Sequence, residues 1–321
     1  MRRRAILAAG LASLLAGPAW AADWPERPVK IVVPYAPGGP VDLVARLVGD
    51  KLAAKFGQSF VIDNKPGANG AIGVQAVMSA PADGYTLLMH GSAGTTIYPV
   101  VMRHPAFDTL RDLTPITLVV NFDLILCANP ELPFRTVKEF VAYAKANPGK
   151  LSFGSAGVGA MNHVGAEWFK MMTGIDIVHV PYRGDAPVAA DVASGTLGVS
   201  FVSSNVAIPL IKAGKLRGLA VPSGQRIAAL PDVPTMAEAG YPDFELQPST
   251  GLFGPGQLDT KIVTQLSAAI KEILAMPDVA ERFGGLGMTP AFTTPEQFIA
   301  MIRKSMALWK DVAAKAKIVL E

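Results

Sequence analysis

Short apolar runs rich in β-branched residues alternate with segments of helical periodicity through most of this 321-residue chain. The runs include "VKIVVPY", "SFVIDN", "YTLLMH" and "LGVSFV". After the first of them, the apolar residues Val44, Leu47, Val48 and Leu52 recur at helical spacing. This alternation is typical of α/β layers built around mostly parallel sheets. The sequence therefore predicts an α/β fold.

The alternating pattern changes at two places, after "ITLVVNFDLILCANP" and again near "STGLFGPG". Two long helical segments, "TKIVTQLSAAIKEIL" and "PEQFIAMIRKSMALWKDVAAKA", then close the chain. The length is sufficient for two lobes, each with its own core. We predict a discontinuous first lobe, residues 24–121 plus 247–321, and a second lobe, residues 122–246. Each lobe is expected to be a mostly parallel sheet flanked by helices, with a ligand cleft between the lobes.

The first residues have the pattern of a secretory signal peptide. Arg2 to Arg4 precede the apolar run "AILAAGLASLLAG", and the small residues Ala19 and Ala21 follow it. The run is shorter than the about 20 apolar residues that cross a bilayer, which favours cleavage near Ala21–Ala22 over an uncleaved anchor. We therefore expect a periplasmic protein with a signal peptide at residues 1–21, exported by either the general or the twin-arginine route.

The charge of the chain gives no indication of nucleic-acid binding. The full chain has 29 Lys+Arg and 26 Asp+Glu, and residues 1–21 contain three Arg and no acid, which leaves 26 of each sign. A neutral protein without basic clusters lacks the electrostatic footprint of a nucleic-acid binder. The single Cys127 excludes an internal disulfide, and its apolar surroundings predict an inert core residue.

The turns that follow the predicted strands are rich in Gly, Ser, Ala and Asn. They read "APGGP", "KPGANG", "GSAGTT", "GSAGVG", "YRGDAP" and "VSSN". In open α/β sheets, ligands bind beyond the carboxyl ends of the strands, where helix N-termini present N–H groups and partial positive charge. Gly and Ser are also ordinary turn residues. Their recurrence after strand upon strand nevertheless favours two facing rims that bind a small organic anion, most simply a carboxylate.

Several single residues have two interpretations from the sequence alone. Asp42 either meets a polar group of the ligand or offsets the dipole of its helix. Arg183 either pairs with a carboxylate or is a solvated loop residue. Tyr35 and Phe201 either wall the pocket or pack in the core. His163 is either a pocket donor or a satisfied surface group.

Catalytic and cofactor motifs are weak. Neither "GSAG" fits the G-x-S-x-G nucleophile elbow, so an exported hydrolase using Ser155 with His163 is only a remote alternative. Gly157 and Gly159 begin a G-x-G that Asn162 follows in place of a third Gly, which argues against a dinucleotide loop. The histidines lack metal-ligand spacing. The sequence therefore predicts no catalytic residue, no cofactor and no metal.

Six stretches of the chain carry a family resemblance: "VPYAPGGPVDLVAR", "NKPGANGAIG", "FGSAGVGAMNHVGAEWFK", "VPYRGDAPVAADVASG", "IKAGKLRGLAV" and "LPDVPTMAEAGYPDFE". In this order they resemble the extracytoplasmic solute receptors of tripartite tricarboxylate transporters, over essentially the whole mature chain. The resemblance implies a two-lobed, type II-like periplasmic binding protein that closes on a carboxylated solute, held by backbone amides, small hydroxyl residues and water. The implied solute is an organic acid, an aromatic acid or an amino acid. The resemblance also implies delivery to membrane permease subunits by what we expect to be a monomer. A loaded receptor that signals to a membrane sensor is the alternative.

The resemblance also implies ligand contacts, which lie on both predicted rims. The first-lobe set is Tyr35, Ala36, Gly38, Gly39, Asp42, Ser92, Ala93, Gly94 and Thr95. The second-lobe set is Ser155, Gly157, Asn162, His163, Arg183, Gly184, Ala186, Phe201 and Ser203. Val202 departs from the family, which often has Asp after the aromatic residue. Without that acid, the site either refuses a ligand with an amino group or depends on Ser203 and Ser204.

Overall fold

A computed structural model describes residues 24–67, 70–182 and 184–319 of the chain. The predicted signal peptide and Arg183 lie outside the described residues. Within the described ranges, no helix has both the length and the apolar character needed to cross a bilayer.

The strands form two separate sheets. The first sheet has the strand order β11-β4-β10-β3-β1-β2, and the second has the order β7-β6-β8-β5-β9, where the labels follow the chain. The strands are β1 (Val29–Val33), β2 (Phe60–Asn64), β3 (Thr86–Gly91), β4 (Leu113–Phe122), β5 (Leu124–Ala128), β6 (Ser152–Ser155), β7 (Val178–Pro181), β8 (Val199–Ser203), β9 (Arg217–Ala220), β10 (Ser249–Pro255) and β11 (Met288–Pro290).

Helices connect the strands and cover both faces of each sheet. One of them is preceded directly by a π-helical turn, Ala93–Ile97. The helices are α1 (Pro40–Phe56), α2 (Ala71–Met78), α3 (Tyr98–Val101), α4 (Thr109–Asp112), α5 (Val137–Ala146), α6 (Met161–Thr173), α7 (Asp185–Ser194), α8 (Ser204–Lys212), α9 (Thr260–Leu274), α10 (Pro277–Gly285) and α11 (Pro295–Ala316).

The strand sequences are apolar in successive positions because both faces of each sheet are buried. Ile31 packs with α1 and α9, whereas Val32, the next residue, packs with α2 and α11 on the opposite face. In the second sheet, Phe201 packs with α5 and α6, and Val202 packs with α7 and α8. Side chains that alternate across a strand thus enter two different cores.

Helix α1 begins and ends where its sequence indicates. Pro40 occupies the first helical turn, where its missing N–H costs nothing, and Gly57 ends the helix in a left-handed conformation. Val44, Val48 and Leu52 are fully buried. The predicted helical face of this segment is therefore the face that packs on the first sheet.

The chain crosses between the sheets at two adjacent places. Strand β4 ends at Phe122 in the first sheet and β5 begins at Leu124 in the second, so only Asp123 separates them. The return crossing lies between β9 and β10, where the carbonyl of Pro248 accepts the N–H of Phe122 at 2.8 Å. Side-by-side crossings are compatible with the predicted lobe boundaries at 121/122 and 246/247, which stay a prediction.

Helix α11 contacts both lobes. Its start is fixed by a capping box between Thr294 and Gln297. Phe298 packs against the first sheet, whereas the ring of Trp309 lies edge-on to Trp168 of α6, with centroids 5.8 Å apart. The last helix therefore joins the two lobes.

The predicted fold class is confirmed: the protein is α/β and has two lobes, each a sheet flanked by helices. The sheets are mixed, so the expectation that each sheet is mostly parallel is wrong. Strand β1 runs parallel to β2 and β3, and β6 runs parallel to β7 and β8, whereas β10 and β5 run antiparallel to their neighbours. Antiparallel pairs arise beside the crossings, where the chain enters each sheet from the other lobe.

Candidate ligand-binding site

Asp42 holds the loop that follows β1. Its carboxylate is 1% exposed. It accepts hydrogen bonds from the N–H of Gly38 (2.9 Å), the amide of Asn64 (2.9 Å) and the guanidinium of Arg46 (2.9 and 3.0 Å). Burial raises the pKa of Asp42, but the hydrogen bonds from Arg46, Gly38 and Asn64 and the charge of Arg46 outweigh it, so the pKa is lowered. Asp42 thus fixes the turn at Gly38 and Gly39 by accepting hydrogen bonds from the backbone of the turn and from two neighbouring side chains.

Tyr35 begins the same loop and is paired with a buried histidine. Its hydroxyl lies 3.2 Å from Nδ1 of His90, and the two rings meet edge to face with centroids 5.4 Å apart. Burial lowers the pKa of His90 to about 3, so its imidazole is neutral at physiological pH. The Nε2 atom of His90 has no hydrogen-bond partner among the described residues. The tyrosine hydroxyl is therefore held on one side by a neutral, buried ring.

Gly94 makes room for that ring. A Cβ at Gly94 would lie 2.0 Å from Cε1 and 2.4 Å from Nε2 of His90. The neighbouring Ser92 accepts the N–H of Ser249 (3.0 Å) through its Oγ, and Thr95 donates to the carbonyl of Gly91 (3.3 Å). The side chains of Ser92 and Thr95, in and after the first "GSAG" turn, therefore form hydrogen bonds within the protein. Ala93, between them, is half-buried.

Ser155, at the end of β6, is paired with His179 of β7. The Oγ of Ser155 lies 2.7 Å from Nε2 of His179 and 3.0 Å from the carbonyl oxygen of Gly157. The hydrolase alternative had paired Ser155 with His163, and the structure places His179 there instead. Ser155 is also 0% exposed, so no substrate reaches its hydroxyl. Ser155 therefore has a structural role, because its buried hydroxyl is bonded within the protein.

His163 stacks on the same histidine. Its ring lies with its centroid 4.0 Å from that of His179, and its Nδ1 accepts the N–H of Gly159 at 3.1 Å. Burial, with the charge of Lys170 second, lowers the pKa of His163 to about 4. Burial and then the charge of His163 lower the pKa of His179 to about 4. Both rings are therefore neutral and hold the glycine-rich loop after β6.

Asn162 and Asp185 form the second network of this lobe. The Oδ1 of Asn162 accepts the N–H of Ala156 (3.1 Å), and its Nδ2 donates to Asp185 (2.9 Å) and to the carbonyl of Phe201 (3.3 Å). Asp185 also accepts a short hydrogen bond from the hydroxyl of Ser203. The network ties the starts of α6 and α7 to the end of β8.

Of the remaining predicted residues of the second lobe, Gly157, Gly184 and Ala186 lie in loops or helix starts after the strands, and Phe201 lies in the core. Gly157 and Gly184 adopt positive φ values of 143° and 113°, which favour glycine. Ala186 is exposed in the first turn of α7. Phe201 is 2% exposed, so it packs in the core and does not wall a pocket by its ring face. Arg183 lies outside the described residues.

The end of β8 lies at the crossing and contacts the first lobe. Ser204, directly after β8, donates its hydroxyl hydrogen to the carbonyl of Gly287 in the first lobe at 3.0 Å. Its N–H donates to the carbonyl of Asp123, at the first crossing (2.9 Å). The carboxyl ends of β6, β7 and β8, which run in parallel, therefore lie on the side of the second lobe nearest the first.

Sequence analysis missed three residues of this site: His90, His179 and Asp185. His90 and His179 each lie in an apolar strand run, where a lone histidine signals an internal partner, but the partner depends on strand pairing. Asp185 was visible in "RGDAP" as an acid in a first helical turn. Within the described ranges, no three His, Cys, Asp or Glu side chains are grouped to hold a metal ion.

Most of the chain matches one known protein family. Residues 44–318 match the family described as "Tripartite tricarboxylate transporter family receptor". The chain is 34% identical to Protein BugT of Bordetella pertussis (strain Tohama I) over 303 residues, which are 93% of this chain and 92% of that protein.

Solved structures with the same architecture include two that carry small carboxylates. "R. palustris Rpa4515 with adipate" is 34% identical, has a TM-score of 0.83 and covers 92% of this chain and 99% of its own. "MatC (Rpa3494) from Rhodopseudomonas palustris with bound malate" is 29% identical, has a TM-score of 0.78 and covers 90% of this chain and 99% of its own.

Proposed function

Because the chain belongs to the tripartite tricarboxylate transporter receptor family, we propose that it captures a small organic carboxylate between its two lobes and delivers it to membrane permease subunits. The observation that carries this proposal is that, in each lobe, side-chain hydrogen bonds hold the loops at the carboxyl ends of parallel strands. The end of β8 contacts the first lobe through Ser204 and Gly287. The solved relatives with adipate and with malate support a carboxylate as the solute.

The roles of the predicted residues fall into two groups under this proposal. Asp42, Ser155, Asn162 and His163 hold the loops, since their polar atoms are used within the protein. We assign the donors for the solute to the hydroxyl of Tyr35, the exposed backbone at Ala36–Gly38, the half-buried turn at Ala93, and the loops at 156–160 and 184–186. Oriented backbone N–H groups at helix starts bind carboxylates without a positively charged side chain.

Closure would occur at the crossings. Only one residue separates β4 from β5, and the return strand runs beside it, so a small backbone rotation there moves one lobe relative to the other. We propose that the mature receptor works in the periplasm after cleavage near Ala21–Ala22. Its role is binding and transfer, with no chemical step.

A panel of mono- and dicarboxylates, tested by thermal unfolding and then by calorimetry on the mature protein, examines this proposal. A solute present at 100 times its Kd adds about 2.7 kcal/mol to the free energy of unfolding, which is readily seen. We expect saturable binding at one site without any product. Failure of every carboxylate to stabilise the protein would contradict the proposal.

Tyr35→Phe is the matching variant, because it removes one hydroxyl from the first-lobe rim. Loss of a hydrogen bond to a charged group should weaken carboxylate binding about tenfold. Tyr143→Phe, the same change on α5 of the second lobe, is the control. Equal affinities in the two variants would remove Tyr35 from the contact set.

Uptake of the bound solute by cells should require the permease, and uptake that persists in a strain without this receptor would contradict the transport role.

A further inference from the structure

We propose that Asp185 is a specificity-determining residue that selects a solute bearing an ammonium group opposite its carboxylate, in preference to a dicarboxylate of the same length. The inference rests on the proposed function, since it concerns which carboxylate the cleft accepts. It names the second lobe as the side that receives the cationic end. The first lobe then receives the carboxylate.

Asp185 is more than a helix-start acid. It is the first residue of α7, where a carboxylate ordinarily offsets the helix dipole. Its oxygens also collect donors from two other elements, the amide of Asn162 on α6 and the hydroxyl and N–H of Ser203 at the end of β8. An ionised carboxylate offers about four acceptor positions, and these donors use three. Asp185 is half-buried, and one acceptor position of its carboxylate has no donor among the described residues.

The carboxylate lies at the edge of the second lobe that faces the first. Strands β6, β7 and β8 run in parallel, and Asp185 follows the carboxyl end of β7 while it contacts the end of β8. The residue after Ser203 is Ser204, which donates to the carbonyl of Gly287 across the lobes. A solute held between the lobes therefore lies beside Asp185.

The hydrogen bonds around Asp185 favour its ionised form, but burial outweighs them, and the pKa of Asp185 is raised. Every group bonded to it is a donor, and a protonated carboxyl would have to give its own hydrogen to an acceptor. Burial opposes this by raising the pKa of Asp185, and the hydrogen bonds from Ser203 and Asn162 lower it again in part. No Lys or Arg among the described residues forms an ion pair with Asp185.

Among the described residues, the two rims consequently differ in charge. In the first lobe Asp42 is neutralised by Arg46 and is buried, so the rim presents N–H groups and the tyrosine hydroxyl. In the second lobe the partly exposed carboxylate of Asp185 would repel a second carboxylate of the solute. An ammonium group would form a charge-assisted hydrogen bond at the open position.

Matched pairs of probes test the inference on the mature wild-type protein. We would measure Kd by calorimetry for adipate against 6-aminohexanoate and for succinate against 4-aminobutanoate. In each pair one carboxylate is exchanged for an ammonium group at nearly constant length. We expect the ammonium member of at least one pair to bind about tenfold more tightly or better, as a charge-assisted hydrogen bond warrants. Tighter binding of the dicarboxylate in both pairs would overturn the inference.

Asp185→Asn makes the test specific, and Asp176→Asn is its control. Asp176 is exposed just before β7, at the opposite end of that strand, so the control makes the same change in net charge away from the cleft. We expect Asp185→Asn to reduce or invert the preference within a pair, while Asp176→Asn keeps it. An unchanged preference in Asp185→Asn would overturn the role of this residue and leave the receptor function standing. Binding of no probe to the wild type would count against both proposals.

Discussion

At the residue scale, Asp42 shows how a family-implied ligand contact acts as a loop support. Asp42→Asn keeps the side-chain size but removes the charge that Arg46 and the Gly38 N–H bind. We predict a loss of about 2 kcal/mol in the free energy of unfolding at pH 7, measured with urea. Carboxylate binding should also weaken, because the turn at Gly38 loses its anchor. Asp50→Asn, on the exposed face of the same helix, should leave both quantities nearly unchanged.

The contribution of Asp42 depends on pH in a definite direction. Its pKa is lowered in the folded protein, so the unfolded chain binds a proton at a pH where the folded chain does not. The stabilisation is therefore fully present above the unfolded pKa of about 3.9 and is lost as the pH falls through the folded pKa. If Asp42→Asn lost as much stability as the wild type between pH 5 and pH 3, this assignment would be wrong.

Gly94 is predicted to be required by the ring of His90 and not by the solute. In Gly94→Ala the new Cβ would meet Cε1 of His90 at 2.0 Å, so the ring or the turn must shift. We expect thermal unfolding to show a destabilisation of about 1–3 kcal/mol. Gly224→Ala, where nothing lies within 4 Å of the added carbon, is the control. Adding His90→Ala to Gly94→Ala should recover part of the loss, and no recovery would show that another contact sets the requirement.

At the element scale, the two "GSAG" turns have the same sequence and different structures. The first continues β3 into the π-helical turn, and its serine is tied to β10. The second follows β6, opens into a loop through Gly157 at positive φ, and its serine is tied to His179 on β7. A short sequence of small residues permits either arrangement, and the neighbouring strand decides between them.

The strands and helices were largely predictable, and the side-chain partners were not. Apolar runs and helical spacing are local, so α9 and α11 lie over the predicted segments. The contact between Ser155 and His179 depends on the parallel register of β6 and β7, which places Phe153 opposite His179. The junction of Asp185 with Asn162 and Ser203 brings together three elements. Register and three-element junctions are long-range features, so the sequence named several site residues without indicating that they bond to one another.

The stacked histidines predict acid sensitivity of the loop after β6. Burial lowers the pKa of His163 and His179 to about 4 each, below the about 6.5 of an unfolded histidine. The unfolded chain therefore binds more protons between about pH 6.5 and pH 4, and stability present above this range is lost as the pH falls through it. His179→Phe keeps an aromatic ring but cannot titrate. Its free energy of unfolding should vary less between pH 7 and pH 5 than that of the wild type, and an equal slope would refute the assignment.

At the scale of the whole molecule, the adjacent crossings and helix α11 connect the two lobes. The joint that we propose for lobe closure lies at Asp123, near the contact of Ser204 with Gly287. We expect small-angle X-ray scattering to show a smaller radius of gyration when the best carboxylate of the panel is added to saturation. Identical curves with and without that carboxylate would argue against lobe closure.

The most direct test of the central claim is a crystal structure of the mature protein grown with the tightest-binding carboxylate of the panel. We predict that the acid group lies between the lobes, within hydrogen-bonding distance of the loop at residues 35–39 or the turn at 92–95. The other end of the solute should lie near Asp185 and Ser203. A solute bound on the outer surface, with the space between the rims unchanged, would contradict the proposed receptor site.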